Sequence, residues 1–163
     1  MPGPGQGQLG GGFPEFRDDD STKKTVAGGP SAPHSGKDGD LRVYDVFYAL
    51  AAITAGQWVA TDRSANDPNG QKRGMKPSAT ADDGEILGVA DEAVAINTWG
   101  KVLVHGRRSC NVTAGTAAGA LLQPSAVAGV AITAAALTDR ACGRALAAEA
   151  AGVAECNVRC LGA

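Results

Sequence analysis

The clearest pattern in the chain is an alternation of apolar and polar residues near its C-terminus. Four small apolar residues alternate with three polar ones: Ala154, Cys156, Val158 and Cys160 with Glu155, Asn157 and Arg159. A period of two turns one face toward a core and the other toward solvent, so this stretch is predicted to be a β-strand.

Short runs rich in β-branched and aromatic residues predict further strands. They cover residues 41–48, 57–61, 85–90, 93–96 and 101–105. The alanine-rich run 134–151 favours a helix by propensity, but Gly143 and Gly152 interrupt it. We therefore predict a strand over 142–148 that forms a hairpin with the last one.

Parts of the body are similar in sequence to one another. Residues 53–56 (Ile-Thr-Ala-Gly) recur as 112–115 (Val-Thr-Ala-Gly), 87–90 resemble 142–145, and 99–106 resemble 151–162. Short strands at close spacing are typical of sandwiches and barrels. The predicted fold is all-β, a small β-barrel or sandwich that could consist of two similar halves.

Residues 1–40 form a distinct N-terminal arm. They hold ten of the 23 glycines and five of the eight prolines, with few apolar residues. Such a segment cannot bury enough apolar surface to offset its chain entropy, so we predict that it is extended or disordered until it binds a partner. The remaining residues, 41–163, form the body, in which the polar stretch 62–84 is predicted to be a long exposed loop.

Charge and hydropathy argue against two classes of partner. The chain has a net charge of -2 and no basic stripe, so we expect no nucleic-acid binding. The apolar run 117–137 contains Gln123, Pro124 and Ser125, so we expect no membrane span. The opening residues lack the basic and apolar regions of a secretory signal.

No set of catalytic residues stands out. The two histidines, His34 and His105, are isolated, and the nucleophile, zinc-protease and phosphate-binding motifs do not occur. The glycine pattern of residues 5–10 lacks the strand and helix that a dinucleotide site needs, and the four cysteines lack zinc spacing. We expect no enzyme activity, cofactor or metal.

One alternative function rests on Lys76. Met75-Lys76 is similar to the modified lysine of biotin- or lipoyl-carrying barrels, which place that lysine on a tight hairpin tip. Here the next residue is Pro77 rather than methionine. A cofactor-carrier module that uses Lys76 is therefore kept as the alternative.

Six residues are predicted to be anchors or contacts. Trp58 and Trp99, the only tryptophans, are predicted to anchor the core, with an oligomer-interface role as the alternative. Partner contacts are predicted for the arm, whose only aromatic residues are Phe13 and Phe16; they are Phe13, Phe16, Arg17 and Val26.

A succession of glycine and apolar motifs runs through the body. It comprises residues 56–59 (Gly-Gln-Trp-Val), 85–90, 100–106, 113–115, 119–122, 129–131, 143–146 and 157–161. From Asp45 onward this order resembles the small β-barrel capsid decoration, or cement, proteins of tailed bacteriophages.

The resemblance implies a structural virion protein without enzyme activity. Such a protein would be made in the host cytoplasm and bind the outer capsid surface as a homo-oligomer, most often a trimer. Its partners would be the major capsid protein and itself, and its role would be to stabilise contacts between capsid subunits.

Overall fold

The described part of the chain is built entirely from β-strands and turns. The computed structural model describes residues 33–35, 41–79, 85–135 and 141–159, and these ranges contain no helix. The strands are β1 (Pro33–Ser35), β2 (Leu41–Ala49), β3 (Trp58–Asp62), β4 (Gly74–Pro77), β5 (Ile86–Ala90), β6 (Trp99–Asn111), β7 (Leu121–Pro124), β8 (Ala131–Thr133), β9 (Gly143–Ala145) and β10 (Val153–Arg159). The all-β prediction is confirmed.

The first half of the body is a closed ring of five strands. Their order is β2-β4-β3-β5-β6, and a further pairing between β2 and β6 closes the ring. The β2–β4 pair is parallel, and the other four pairs are antiparallel. Closure leaves these five strands with few free edges, as in a small barrel.

The second half is a ring of the same kind that shares β6 with the first. Its order is β6-β10-β9-β7-β8, and a parallel bridge between Val112 and Ala131 closes it. Each pairing of the first ring has a counterpart of the same direction in the second: β2–β6 with β6–β10, β2–β4 with the Val112–Ala131 bridge, β3–β4 with β7–β8, β3–β5 with β7–β9, and β5–β6 with β9–β10. The body therefore consists of two halves with one topology.

The strand registers define which residues are equivalent. The pair Val59–Gly88 corresponds to Leu122–Gly143, in agreement with the sequence similarity of 87–90 and 142–145. The other two similarities are out of register. The Gly56 amide donates to the Ala90 carbonyl at 3.0 Å, and the amide that donates to the equivalent Ala145 carbonyl, at 2.8 Å, is that of Gly119 rather than Gly115.

The third sequence similarity made Trp99 equivalent to Ala151. The strand registers instead make Trp99 of the first half equivalent to Val153 of the second. Tyr48 lies opposite Trp99 in the first half, and the equivalent Asn111 lies opposite Val153 in the second. Short motifs of alanine and glycine recur wherever the chain turns, so they do not define a register by themselves.

Ala-Gly turns connect many of these strands. In five four-residue turns the fourth amide donates to the first carbonyl, at 3.1–3.3 Å: 54–57, 113–116, 117–120, 127–130 and 150–153. The glycine at the third position has φ between +71° and +82°, a conformation that type II and type I′ turns require there. The repeated Ala-Gly pair thus explains why the described alanine-rich segments form short strands rather than helices.

Two apolar clusters form the core, one for each half. The first ring encloses a cluster that includes Met75 and Val102. The second cluster lies in the other half and also covers part of the first ring's outer surface. Trp58 joins the halves: its strand belongs to the first ring, and its Nε1 donates to the Asn111 carbonyl at 3.1 Å.

The stretch 62–84 is not simply the exposed loop that was predicted. It contains β4, in which Met75 is completely buried. Asp67 is also buried, and its Oδ1 accepts hydrogen bonds from the Asn69 and Gln71 amides. The prediction was wrong because a single large apolar residue in a polar run carries no detectable period.

Other boundaries also differ from the predictions. The expected strand at 93–96 is reduced to one bridge between Val94 and Ile53. The expected hairpin near the C-terminus is present, with β9 antiparallel to β10, although β9 is shorter than 142–148. Strand β1 lies inside the predicted arm and pairs with β2; Cys160 and residues 1–32 lie outside the described residues.

Candidate partner-binding surface

The two tryptophans occupy different environments. Trp58 is 0% exposed and belongs to the core, whereas Trp99 is 41% exposed. A core role therefore describes Trp58 but not Trp99, because Trp99 lies at the start of β6 on the outer face of the ring. The interface role of Trp99 stays a prediction. The predicted contacts Phe13, Phe16, Arg17 and Val26 lie outside the described residues.

Trp99 is part of a row of side chains on the outer face of β2 and β6. This row, called the aromatic strip below, comprises Tyr44, Val46, Tyr48, Trp99 and Lys101. Tyr48 lies opposite Trp99 and Val46 opposite Lys101. The Tyr48 and Trp99 rings meet edge to face with centroids 5.4 Å apart, and Lys101 Nζ lies 6.0 Å from the Tyr44 ring centroid.

The alternation of β2 explains why these side chains point outward. Phe47 and Ala49 pack on the cluster inside the first ring, so their neighbours on the strand face the other way. At the Tyr44 end, the strip packs against the second cluster. At the Trp99 end it is open to solvent. The strip thus runs from a covered end to an exposed end.

The second half of the body provides an internal comparison for this surface. The equivalent outer positions are held by Arg107, Ser109, Asn111, Val153 and Glu155. Four of these five are polar or charged, yet the strands pair in the same way. Strand pairing at these positions therefore does not depend on aromatic residues, although Tyr44 also packs on the second cluster.

Among the described residues, part of β2 beside the strip has a strand partner on one side only. On the side away from β6, β2 pairs with β1 up to Val43 and with β4 from Tyr48 onward. Arg73 fills the interval: its Nη2 donates to Asp45 Oδ1 at 3.1 Å and to the Val46 carbonyl at 3.3 Å. A charged side chain at a strand edge disfavours the addition of further strands there.

Strand β1 lies beside one end of this surface. Ser35 lies opposite Leu41 and Pro33 opposite Val43. Because the two strands are antiparallel, the N-terminal end of β1 lies at Val43, next to Tyr44 of the strip.

The described residues show little that could act as reactive chemistry. Cys110, Cys142 and Cys156 are buried and not bridged. A hydrogen bond with the Cys156 thiol, together with burial, raises the pKa of Cys110, so this thiol stays protonated and unreactive. No three His, Cys, Asp or Glu side chains within the described ranges are arranged to hold a metal ion.

Lys76 does not have the setting of a carrier lysine. It lies within β4, opposite Ala60, rather than on a hairpin tip, and it is half-buried. Its charge acts on Asp62 only as a lesser influence: burial acts to raise the pKa of Asp62, but the hydrogen bonds from Ser64, with smaller contributions from the charges of Lys76 and Lys72, lower it. The geometry does not favour the alternative function.

Sequence reasoning identified Trp99 but missed the rest of the strip. Tyr44, Val46 and Tyr48 occupy every second position of the first predicted strand, a period-two signal that was available. It did not reveal a surface because the intervening residues are also largely apolar, so the exposed face could not be told from the buried one.

Comparison with known proteins identifies a fold relative. No protein-family model matches the chain, and no curated protein matches it. Among solved structures, the chain is similar to one described as the crystal structure of head fiber gp8.5 N base in bacteriophage phi29. The TM-score is 0.54 at 14% identity, over 72% of this chain and 93% of that chain. At this identity the likeness establishes a shared fold. Within the described residues, no helix is long and apolar enough to cross a membrane.

Proposed function

We propose that the protein is a structural virion protein of a bacteriophage, that it binds the outer surface of the capsid, and that it stabilises contacts between major capsid subunits. The observation that carries the proposal is the fold likeness to a phage head fiber base, which extends over 93% of that chain. The order of glycine and apolar motifs in the sequence, which resembles capsid decoration proteins, supports the same function.

The architecture suits a protein that grips a surface. The body is small, closed and rich in turns, and residues 1–32 of the arm precede β1. A segment that becomes ordered on binding can cover a large area with little mass. If several copies form a symmetric oligomer, most simply a trimer, several arms bind the capsid at once, and the overall affinity exceeds that of a single arm.

Attachment of this kind would stabilise the shell by mass action. A protein that binds the assembled capsid and not its separated subunits favours the assembled state. In our proposal the body sits over a junction between major capsid subunits and the arm runs along the shell. Removal of one capsid subunit then requires the release of several contacts.

The test is to mix purified protein with capsids that lack it. We expect the protein to co-sediment with the capsids and to raise the temperature at which they disrupt. Absence of binding, or binding without any change in capsid stability, would overturn the proposal. Light scattering tests the trimer separately: a monomer in solution and on the capsid would remove the trimer but leave decoration by single copies.

A further inference from the structure

Three arginines gather around Asn157 on the outer face of the second half. Arg107 of β6 and Arg144 of β9 lie opposite Asn157 on its two sides, and Arg159 follows two residues along β10. We propose that this group of four residues, the arginine face, binds a carboxylate-rich protein surface, and that on the capsid this surface belongs to the major capsid protein. The capsid part of the inference rests on the proposed function.

The alternation of β10 turns the arginine face to solvent. Ala154, Cys156 and Val158 belong to the second cluster, so the residues that alternate with them point outward. All three arginines are exposed. Paired strands lie about 4.8 Å apart, and residues two apart on one strand about 7 Å. The Cα atoms of the three arginines therefore lie within about 10 Å of one another, a distance over which charges still act together at 0.1 M salt.

The first half shows what the equivalent positions do when they form a contact. Leu103 lies between Tyr44 and Val89, and these three residues are equivalent to Asn157 with its two flanking arginines. All three pack in or against the second cluster, so this is the face through which the first half contacts the second. On the second half the same face is open among the described residues. Its charged side chains suit a charged partner rather than an apolar one.

The concentration of positive charge on this face runs against the composition of the chain. The net charge of the whole chain is -2, whereas the face carries three arginines and, next to them on β10, one acidic residue, Glu155. A surface that serves only solubility mixes the two signs. A local excess of positive charge on an acidic protein favours a small negative surface over a long polyanion, because the negative charge elsewhere on the molecule repels the polyanion.

The choice of arginine rather than lysine defines the ligand further. A guanidinium group donates two parallel hydrogen bonds to one carboxylate, and its weak hydration favours it at interfaces. The half-buried Asn157 adds an amide donor between the two flanking arginines. Side chains of Asp and Glu on a partner match these donors. Phosphate groups accept hydrogen bonds from the same donors, so duplex DNA is the competing ligand in the test.

The first experiment needs no capsid. Fluorescence anisotropy measures the binding of labelled poly-L-glutamate and of labelled duplex DNA to the unchanged chain and to an Arg144→Gln, Arg159→Gln double variant. We expect the unchanged chain to bind poly-L-glutamate more tightly than DNA. The double variant should bind poly-L-glutamate about tenfold more weakly, the effect of about 1.4 kcal/mol. Added salt should weaken binding, because ions screen exposed charges.

The matched control is an Arg63→Gln, Lys72→Gln double variant. Arg63 and Lys72 are also exposed, and their replacement removes the same two charges elsewhere on the body, so this variant should bind poly-L-glutamate like the unchanged chain. Glu155→Gln leaves the arginines in place and should bind more tightly. Circular dichroism checks that every variant keeps the folded body.

Four results would overturn the inference. They are no binding of poly-L-glutamate by the unchanged chain, equal binding by the Arg144→Gln, Arg159→Gln variant, an equal loss in the control variant, and tighter binding of DNA than of poly-L-glutamate. An equal loss in the control would reduce the effect to net charge, and a preference for DNA would assign the face to phosphate groups.

The second experiment compares the same variants by co-sedimentation with capsids that lack the protein. We expect the loss of Arg144 and Arg159 to weaken capsid binding and the control variant to bind normally. If the unchanged chain binds poly-L-glutamate but no capsids, the proposed function fails while the affinity of the face for carboxylates is upheld. If every variant binds capsids equally, the proposed function stands and the assignment of the face to the capsid contact is overturned.

Discussion

At the scale of single residues, Trp58 and Trp99 show how position outweighs residue type. The Trp58 indole packs among residues of both halves, and a side chain on Gly143 would lie 2.8 Å from its ring. Replacement of Trp58 by Ala should therefore lower the free energy of unfolding by about 3–5 kcal/mol. Trp99→Ala should cost only about 1 kcal/mol, the size of an edge-to-face ring contact. Denaturant unfolding of both variants measures the difference, and equal losses would contradict the assignment of Trp58 to the core.

Glu149 links two of the Ala-Gly turns. Its carboxylate accepts hydrogen bonds from the Gly152 and Gly115 amides. Both bonds lower the pKa of Glu149 in the folded protein, the one from Gly152 more than the one from Gly115. The charged form thus favours the folded state. Its contribution is complete above the pKa of the unfolded chain and is lost as the pH falls through the lower folded pKa.

The melting temperature of the unchanged protein should therefore exceed that of Glu149→Gln at neutral pH, where Glu149 is charged. The two melting temperatures should converge in acid, because protonated Glu149, like Gln, carries no charge. A difference that persists unchanged below the folded pKa would show that the charge of Glu149 plays no part.

At the scale of elements, Gly88 makes the first ring possible. It has φ +155°, and a Cβ there would lie 2.1 Å from the Leu103 carbonyl oxygen. The β3–β5 register shifts beside it, between Val59 and Ala60. Gly88→Ala must displace backbone and should be strongly destabilising.

The matched control is Gly119→Ala. Gly119 also has positive φ, +82°, but nothing lies within 4 Å of the added methyl group. This variant should cost only the backbone strain, about 1–3 kcal/mol. The melting temperature of Gly88→Ala should be well below that of Gly119→Ala. The reverse order would show that the structure accommodates a methyl group beside the Leu103 carbonyl without loss of stability.

At the scale of the whole molecule, the arm and the body are expected to act separately. Trypsin should cleave the free protein at Arg17, Lys23 and Lys24 and leave the body intact, because the composition of the arm does not support independent folding. On the capsid the same sites should be protected. Mass spectrometry of the fragments measures this, and equal protection with and without capsids would argue against an arm that orders on binding.

Removal of residues 1–25 should weaken co-sedimentation with capsids without changing the melting temperature of the body. The distal arm contains Phe13, Phe16 and Arg17, while β1 and the strip remain. Unchanged binding would show that the body, and not residues 1–25, makes the contacts that hold the protein on the capsid.

The sequence by itself determined the local features of this protein. The alternation at 154–158 identified β10, and Gly143 and Gly152 argued against a helix in the alanine-rich run, whose described residues 141–151 contain none. These features follow from neighbouring residues, since strand period and turn conformation depend on a few positions in a row. The absence of recognisable catalytic motifs was likewise visible in the sequence and motivated a structural role, which stays a proposal.

Tertiary structure alone decided the rest. Nothing in the sequence indicated that β2 pairs with both β4 and β6 to close a ring, because those pairings join residues far apart in the chain. For the same reason it did not indicate that Gly119 is the counterpart of Gly56. Ring closure also decided which tryptophan was buried: only when two rings share β6 does the outer face of β3 become interior and place Trp58 in the core, while the Trp99 end of the outer face stays open.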